Sequence, residues 1–207
     1  MLQLKTFKVG DLQCNCTLVW NQSTRQGFVV DPGGEPQRIK EEVNSLKIKI
    51  KALLHTHAHF DHVGATKELQ EFYDCPAFLH EDDDFLIKNL DRQTDFFGLP
   101  SVETPNMTPL TESDKFLGIK ILHTPGHTPG SCCFFGDFHK GKVILAGDTL
   151  FRRSVGRTDT PGGSKDQIKE SILKKIYTCP PETLVIPGHG LFTTIGEEQE
   201  HNLFVRQ

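Results

Sequence analysis

The chain has 207 residues, which is long enough for one sizeable hydrophobic core or for two small domains. Its formal net charge is −4 at pH 7 and its lysines and arginines are dispersed, so the charge gives no reason to expect nucleic acid as a partner. No apolar run approaches membrane-spanning length, and no linker or low-complexity tract divides the chain. We therefore expect a single domain over 1–207 that binds neither nucleic acid nor a membrane.

The first third of the chain alternates between strand and helix patterns. Alternating or continuous apolar residues predict four strands, over 2–9, 13–20, 26–31 and 50–54. Between the last two, residues 35–47 carry Ile39, Val43 and Leu46 at helical spacing, which predicts a helix. The first strand lacks the apolar core of a signal peptide, and the six cysteines form no CxxC pair. We expect reduced thiols in a cytoplasmic protein.

The remaining elements complete a layered α/β pattern. Further strands are predicted over 76–79, 115–122, 131–136, 142–146 and 183–187. Further helices are predicted over 62–73, 81–90, 164–177 and 196–206. Strands in two groups, with helices between them and at the end, favour a layered protein over a doubly wound sheet.

Residues 91–114 show no periodicity and contain three prolines, so we predict a long loop there. A loop of this length in a compact protein is usually functional. One interpretation is that it covers the active site and that Phe96 and Phe97 supply apolar contacts for a substrate. The alternative is a small hydrophobic cluster beneath the loop with no role in binding.

The most informative run is 56–64, which reads Thr-His-Ala-His-Phe-Asp-His-Val-Gly. Its metal-binding side chains are His57, His59, Asp61 and His62. Imidazole and carboxylate ligands suit Zn²⁺ and related divalent ions. Because the run follows a predicted strand, rigid scaffold carries the ligands. The first two histidines can reach one ion, and the two ligands beyond the bend can reach a second.

Three more candidate ligands follow predicted strands and are framed by glycine. They are His127 in Pro-Gly-His-Thr-Pro-Gly, Asp148 in Ala-Gly-Asp-Thr and His189 in Pro-Gly-His-Gly. Glycine at such positions lets the backbone turn sharply or approach a bound group. Each motif alone is weak, because turns use the same residues. Together with the histidine run they predict a site with two metal ions.

These residues resemble the metallo-β-lactamase superfamily of hydrolases, and an Asp31-Pro32-Gly33-Gly34 turn upstream of the run fits the same pattern. The resemblance implies a four-layer αββα sandwich, with the metals at one edge between two β-sheets. The ligands that it implies for the first ion are His57, His59 and His127. Those that it implies for the second are Asp61, His62 and His189, with Asp148 bridging the two ions.

Two divalent ions about 3.5–4 Å apart can hold a bridging water and lower its pKa to about 7. No Gly-x-Ser-x-Gly motif offers a serine nucleophile, so we expect a metal-bound hydroxide to attack the substrate. Asp61 is then expected to orient that hydroxide as well as to bind metal. Zinc is the favoured ion, although iron and manganese accept the same ligands.

The stretch after Asp148 favours a thioester as the substrate. It resembles the glyoxalase II group, which hydrolyses S-D-lactoylglutathione, and this chain resembles the short, single-domain branch of that group. Longer members bind glutathione through a lysine nine residues after the bridging aspartate, and Arg157 stands at that position here. They also have a tyrosine where this chain has Asp159. Arg157 is therefore a predicted substrate-binding residue, and the alternative is a surface pair with a carboxylate.

A second reaction class shares these motifs. Glutathione persulfide dioxygenases use one iron, which would be held here by His57, His127 and Asp148, and such a two-histidine, one-carboxylate set suits Fe(II) oxygen chemistry. A purely structural metal is disfavoured, because seven candidate ligands exceed what a structural zinc needs. Outside the ligand set, His55 and His123 are candidates for support of the ligands.

Overall fold

The computed structural model describes residues 1–206 and divides into two compact units, Met1–Leu110 and the part from Thr111 onward. The strands of the first unit are β1 (Leu2–Val9), β2 (Cys14–Asn21), β3 (Gln26–Val30), β4 (Lys49–Leu54), β5 (Ala77–Leu79) and β6 (Met107–Pro109). Its α-helices are α1 (Pro36–Ser45), α2 (Phe60–Val63), α3 (Thr66–Tyr73), α4 (Asp84–Ile87) and α5 (Leu90–Phe97), with a 3-10 turn at Glu81–Asp83. The α/β class is thus as predicted, and the single domain stays a prediction.

The six strands of the first unit form one mixed sheet in the order β1-β2-β3-β4-β5-β6. The pairs β1–β2 and β2–β3 are antiparallel, and the pairs from β3 to β6 are parallel. Helices α1 and α3 bury Ile39, Val43 and Leu69 in a core built on β2, β3 and β4. The parallel strands β3 and β4 both end in buried residues. The segments that follow these two strands carry polar side chains.

Two predicted helices are divided in the structure. The helix expected over 62–73 is two helices, α2 and α3, separated at Gly64 and Ala65. A Cβ on Gly64 would lie 2.4 Å from the Gly33 carbonyl oxygen, and Ala65 N–H donates to the Pro32 carbonyl at 2.8 Å. The turn before α1 therefore interrupts the helix. The helix expected over 81–90 likewise becomes the 3-10 turn, α4 and the start of α5.

The prediction of a loop over 91–114 is wrong in part, because α5 extends to Phe97 and β6 occupies Met107–Pro109. Helix α5 buries Leu90 and Thr94, and Gly98 ends it in a left-handed conformation. Beyond it, Leu99 and Val102 pack on a cluster that includes Ala58 and Phe60, as the alternative interpretation of this segment expects. Phe96 is 82% exposed, so it is available to a bound molecule.

The second unit contains a second sheet segment in the order β13-β12-β9-β8-β7 and a separate hairpin. Its strands are β7 (Lys120–His123), β8 (Cys132–Phe138), β9 (Gly141–Gly147), β10 (Leu150–Phe151), β11 (Ser154–Val155), β12 (Leu184–Pro187) and β13 (Thr193–Thr194). Only β9 and β12 pair in parallel; the other pairs, including the β10–β11 hairpin, are antiparallel. Strand β7 is shorter than the predicted 115–122, because Leu117 and Gly118 form a turn with positive φ.

Two helices of the second unit cover its core. Helix α6 (Lys165–Ser171) starts at Ser164, whose side chain caps it, and continues as a π-helical turn over Ile172–Ile176. Helix α7 (Ile195–His201) ends before the predicted 206. Both contribute isoleucines to one hydrophobic cluster with β8, β9 and β12. Across 1–206, no helix combines the length and the apolar character that a membrane crossing requires.

Candidate metal centre

In the first unit, the loop between β4 and α2 brings two imidazoles together. His57 Nε2 and His59 Nδ1 lie 3.0 Å apart, and the two rings meet edge to face. Two nitrogens bound to one tetrahedral zinc at about 2.0–2.1 Å would be separated by roughly 3.3 Å. The observed spacing is close to that value, so this pair fits a shared metal ion.

Asp31 orients the third histidine of the run. Its buried carboxylate lies directly after β3, and Oδ2 is 3.0 Å from Nδ1 of His62. Donation from Nδ1–H to this carboxylate leaves the lone pair of His62 Nε2 to bind a metal, and it makes that nitrogen more basic. Such carboxylate–histidine pairs are common behind metal ligands.

Thr56 extends this support to His57. The Thr56 hydroxyl donates to Asp31 Oδ2 at 2.7 Å, and its N–H donates to Oδ1 at 2.8 Å. The same hydroxyl lies 3.0 Å from Nδ1 of His57 and can accept from it. One buried carboxylate therefore fixes the proton positions of two histidines, with Nδ1 protonated and Nε2 left as the nitrogen that can bind a metal.

Asp61 and His62 stand in the first turn of α2, where their side chains adjoin. Oδ2 of Asp61 and Nε2 of His62 are 3.7 Å apart, a spacing beyond a hydrogen bond and suited to two ligands of one ion. Close packing behind them fixes the backbone: a Cβ on Gly33 would lie 1.7 Å from the Asp61 carbonyl oxygen. Only glycine fits at position 33.

In the second unit, Asp148 lies between two histidines. Its Oδ2 is 3.7 Å from Nε2 of His127, and its Oδ1 is 3.9 Å from Nε2 of His189. Each carboxylate oxygen thus faces a different imidazole at more than hydrogen-bonding distance. That arrangement suits a carboxylate that binds one metal through each oxygen.

Strand pairing explains why these ligands meet. Asp148 follows β9 and His189 follows β12, and these strands are parallel neighbours with Pro187 opposite Gly147. Gly188 N–H also donates to the Gly147 carbonyl at 2.8 Å, which ties the two loops together. The ends of parallel strands lie at the same edge of a sheet, and ligands commonly bind there.

His127 is oriented by the main chain of Arg157. Its Nδ1 lies 2.8 Å from the Arg157 carbonyl oxygen, so Nδ1 carries the proton and Nε2 faces Asp148. The Arg157 side chain makes two hydrogen bonds to Asp159, at 2.8 and 3.0 Å, and both side chains are well exposed. The guanidinium holds the pKa of Asp159 at about 2. The pair expected as the alternative for Arg157 is therefore present.

The two supporting histidines differ in what they contact. His123 Nε2 lies 2.8 Å from the Pro129 carbonyl and so braces the loop that carries His127. His55 is fully buried between the Phe78 carbonyl and the Thr66 hydroxyl, and burial lowers its pKa. Both bonds of His55 hold β4 to its neighbours.

Several supporting residues were absent from the predicted site. Asp31 had a signal in the Asp-Pro-Gly-Gly turn, but nothing in the sequence says that its carboxylate reaches His62. Asp83 lies in an acidic run that resembles an ordinary helix start, yet it is buried and accepts from Ala58 N–H at 3.0 Å. Gln93 stood in the segment expected to be a loop. Hydrogen bonds between residues that lie 25 or more positions apart leave no pattern in the local sequence.

A family model described as the metallo-beta-lactamase superfamily matches residues 9–189. A Haemophilus influenzae protein named hydroxyacylglutathione hydrolase GloC is 35% identical over 212 residues, covering 99% of this chain and 98% of that protein. The crystal structure of the BLEG-1 B3 metallo-beta-lactamase is 31% identical, with a TM-score of 0.88, and covers 99% of this chain and 100% of its own.

A second crystal structure, of TTHA1623 in a di-iron-bound form, is 37% identical with a TM-score of 0.88 and covers 97% of this chain and 100% of its own. At this coverage the predicted fold class is confirmed.

Proposed function

We propose, on the basis that this chain belongs to the metallo-beta-lactamase superfamily, that it is a dinuclear-metal hydrolase that cleaves a thioester. Water adds to the carbonyl carbon, the carbon–sulfur bond breaks, and the products are a carboxylic acid and a thiol. The substrate class that we assign is a hydroxyacylglutathione, with S-D-lactoylglutathione as the first candidate. A cytoplasmic location and a small-molecule substrate stay predictions.

The metal ligands that we propose follow the pattern of the family. His57, His59 and His127 would hold the first ion, and Asp61, His62 and His189 would hold the second. Asp148 would bridge the two ions. Zinc is our first choice, and iron is a close second because the crystal structure of a relative of similar length is of a di-iron-bound form. Bound there, two divalent ions would polarise the thioester carbonyl and lower the pKa of a water molecule.

One observation carries the choice of a dinuclear hydrolase over a mononuclear iron dioxygenase. The two oxygens of Asp148 face two different histidines, His127 and His189. A single iron would need only one of these oxygens, whereas a carboxylate between two ions could offer one oxygen to each. His62, held by Asp31, gives the second ion an oriented ligand as well.

The side chains around the ions have separable roles. Asp31 and Thr56 keep the histidine protons on Nδ1, so that Nε2 binds metal. Asp61 lies 3.7 Å from His62. Its carboxylate would orient the attacking water by accepting a hydrogen bond from it. Since that role requires proximity to the reacting atoms, Asp61 is our candidate catalytic residue.

Arg157 is the substrate-binding residue that we propose. Its pair with Asp159 is exposed, and exposed ion pairs contribute little to stability. A carboxylate of glutathione can therefore displace Asp159 and accept the same two guanidinium hydrogen bonds. The similarity to a protein named hydroxyacylglutathione hydrolase supports glutathione as the thiol.

The test is steady-state hydrolysis of S-D-lactoylglutathione by protein reconstituted with Zn²⁺, followed by loss of thioester absorbance. We expect two bound ions per chain, turnover, and loss of turnover in His59→Ala. A cephalosporin serves as a control substrate because one structural relative is a B3 metallo-beta-lactamase. Oxygen uptake with iron-loaded protein and glutathione persulfide measures the dioxygenase alternative.

The outcomes separate the candidates. Folded, metal-loaded protein that leaves the thioester intact would rule out the proposed activity. Oxygen uptake by the iron-loaded protein with glutathione persulfide would then establish the dioxygenase instead. Cephalosporin cleavage faster than thioester cleavage would reassign the substrate.

A further inference from the structure

The ligand-bearing segment between β4 and α2 is neither strand nor helix, so its peptide groups need partners from elsewhere. Thr56 N–H finds the Asp31 carboxylate, and Ala58 N–H donates to Asp83 Oδ2 at 3.0 Å. The two peptide groups that flank His59 form hydrogen bonds instead to the side chain of Gln93 on α5.

Gln93 bonds to this segment as a neighbouring strand would. Its Oε1 accepts from Phe60 N–H at 3.0 Å, and its Nε2 donates to the Ala58 carbonyl at 3.3 Å. The same Nε2 donates to the Leu86 carbonyl at 3.0 Å, at the end of α4. The Gln93 side chain thus bonds to the backbone on both sides of His59, and it links this segment to helices α4 and α5.

We propose that Gln93 is a positioning residue for the metal centre: its amide fixes the peptide groups that flank His59 and so sets that imidazole against His57. The inference rests on the proposed function, because it takes His59 to be a metal ligand. His59 has an extended backbone (φ −76, ψ 146) and is followed by the first turn of α2. Its φ and ψ are determined by the peptides that Gln93 holds.

The helix that carries Gln93 is anchored independently of it. Leu90 is 1% exposed and Thr94 is buried, with the Thr94 hydroxyl donating to the Asp91 carbonyl at 3.0 Å. Replacement of Gln93 by methionine keeps the length of the side chain and removes all of its hydrogen bonds. The helix is therefore expected to remain in place, while the ligand segment loses its partner.

A matched control exists in the same unit. Gln70 on α3 holds Asn106 in the same way: its Nε2 donates to the Asn106 carbonyl at 2.8 Å, and its Oε1 accepts from Asn106 N–H at 3.2 Å. Gln70→Met removes two bonds from a backbone segment that bears no proposed ligand. A general effect of losing hydrogen bonds between a side-chain amide and the backbone should appear in both variants. An effect specific to metal binding should appear only in Gln93→Met.

The experiment measures Co²⁺ binding by competition with a chromophoric chelator and records the visible spectrum of the bound ion. We expect Gln93→Met to weaken Co²⁺ binding by about 10- to 100-fold, the usual effect of losing support behind a ligand, and to alter the spectrum. Gln70→Met should stay within about twofold of the unsubstituted protein. If Gln93→Met does not fold, Gln93→Glu replaces it, since it keeps the acceptor for Phe60 N–H and loses both donors.

Equal Co²⁺ affinity and spectrum in the unsubstituted protein and the Gln93 variant would overturn the positioning role and leave the proposed function standing. Equal loss of affinity in the Gln93 and Gln70 variants would also overturn it. Failure of the unsubstituted protein to bind Co²⁺ would instead remove the proposed function, and the inference with it.

Discussion

A methyl group at position 156 would collide with the backbone of a proposed ligand. A Cβ on Gly156 would lie 1.8 Å from the Asp148 carbonyl oxygen and 3.2 Å from Cβ of His127. Side-chain carbons do not approach backbone oxygens below 3.0 Å, so one of the two backbones has to move by more than about 1 Å. Gly156→Ala therefore moves either the backbone of Asp148 or the segment at position 156 that packs against Asp148 and His127.

A misplacement of about 1 Å in a catalytic constellation costs about 100-fold in rate. We predict that Gly156→Ala lowers kcat for S-D-lactoylglutathione by about that factor and weakens metal binding. The cost in the free energy of unfolding should be smaller, about 1–3 kcal/mol, as for other overpacked sites. The readouts are steady-state kinetics, metal content and urea unfolding of the same preparations.

The control is Gly118→Ala in the same unit. Gly118 has a φ of +84, and a Cβ there would meet nothing within 4 Å. That variant should lose about 1–2 kcal/mol through backbone strain and keep its activity. Folded Gly156→Ala protein with kcat within twofold of the unsubstituted protein would refute the argument that this contact positions the ligands.

Three further predictions test the supporting contacts. Asp31→Asn should weaken Co²⁺ binding by about 10- to 100-fold, because asparagine has one acceptor oxygen where Asp31 uses two; unchanged affinity would contradict this. Arg157→Ala should raise the pKa of Asp159 from about 2 towards about 3.9 in a carboxyl NMR titration. The unsubstituted protein should lose the stability due to this pair as the pH falls from about 3.9 to 2, a loss the variant lacks. A thiol reagent should label Cys179 first, since the other five cysteines are buried; earlier labelling of Cys14, whose pKa burial raises to about 12, would count against the structure.

The sequence predicts the strands that carry the site more reliably than the helices that support it. Strands β4, β9 and β12 each contain an uninterrupted apolar run of three or four residues that leads into histidine, glycine or proline, so their ends are visible locally. Helix α5 was missed because its buried face includes Thr94, a polar residue that interrupts the apolar stripe. The break between α2 and α3 was missed because its cause is the distant turn at Pro32 and Gly33.

The same distinction holds for the site. The geometry within each unit brings together His57 with His59, Asp61 with His62, and Asp148 with its two histidines, and each of these was a predicted ligand. Their assignment to two ions stays a prediction. The partners behind them, such as Asp31 and Gln93, are set by tertiary packing over more than 30 residues. Spacing along the chain does not reveal them.

The parallel pairing of β9 and β12 bears on how this chain can evolve. The separation of Asp148 and His189 is fixed by a strand ladder with Ile186 opposite Leu145, and it is independent of the length of any loop. Insertions over 98–106 or in the turn between β8 and β9 leave that separation unchanged. Substrate specificity can therefore change through remodelling of exposed segments while the proposed metal centre is kept, provided that changes in α5 retain Gln93.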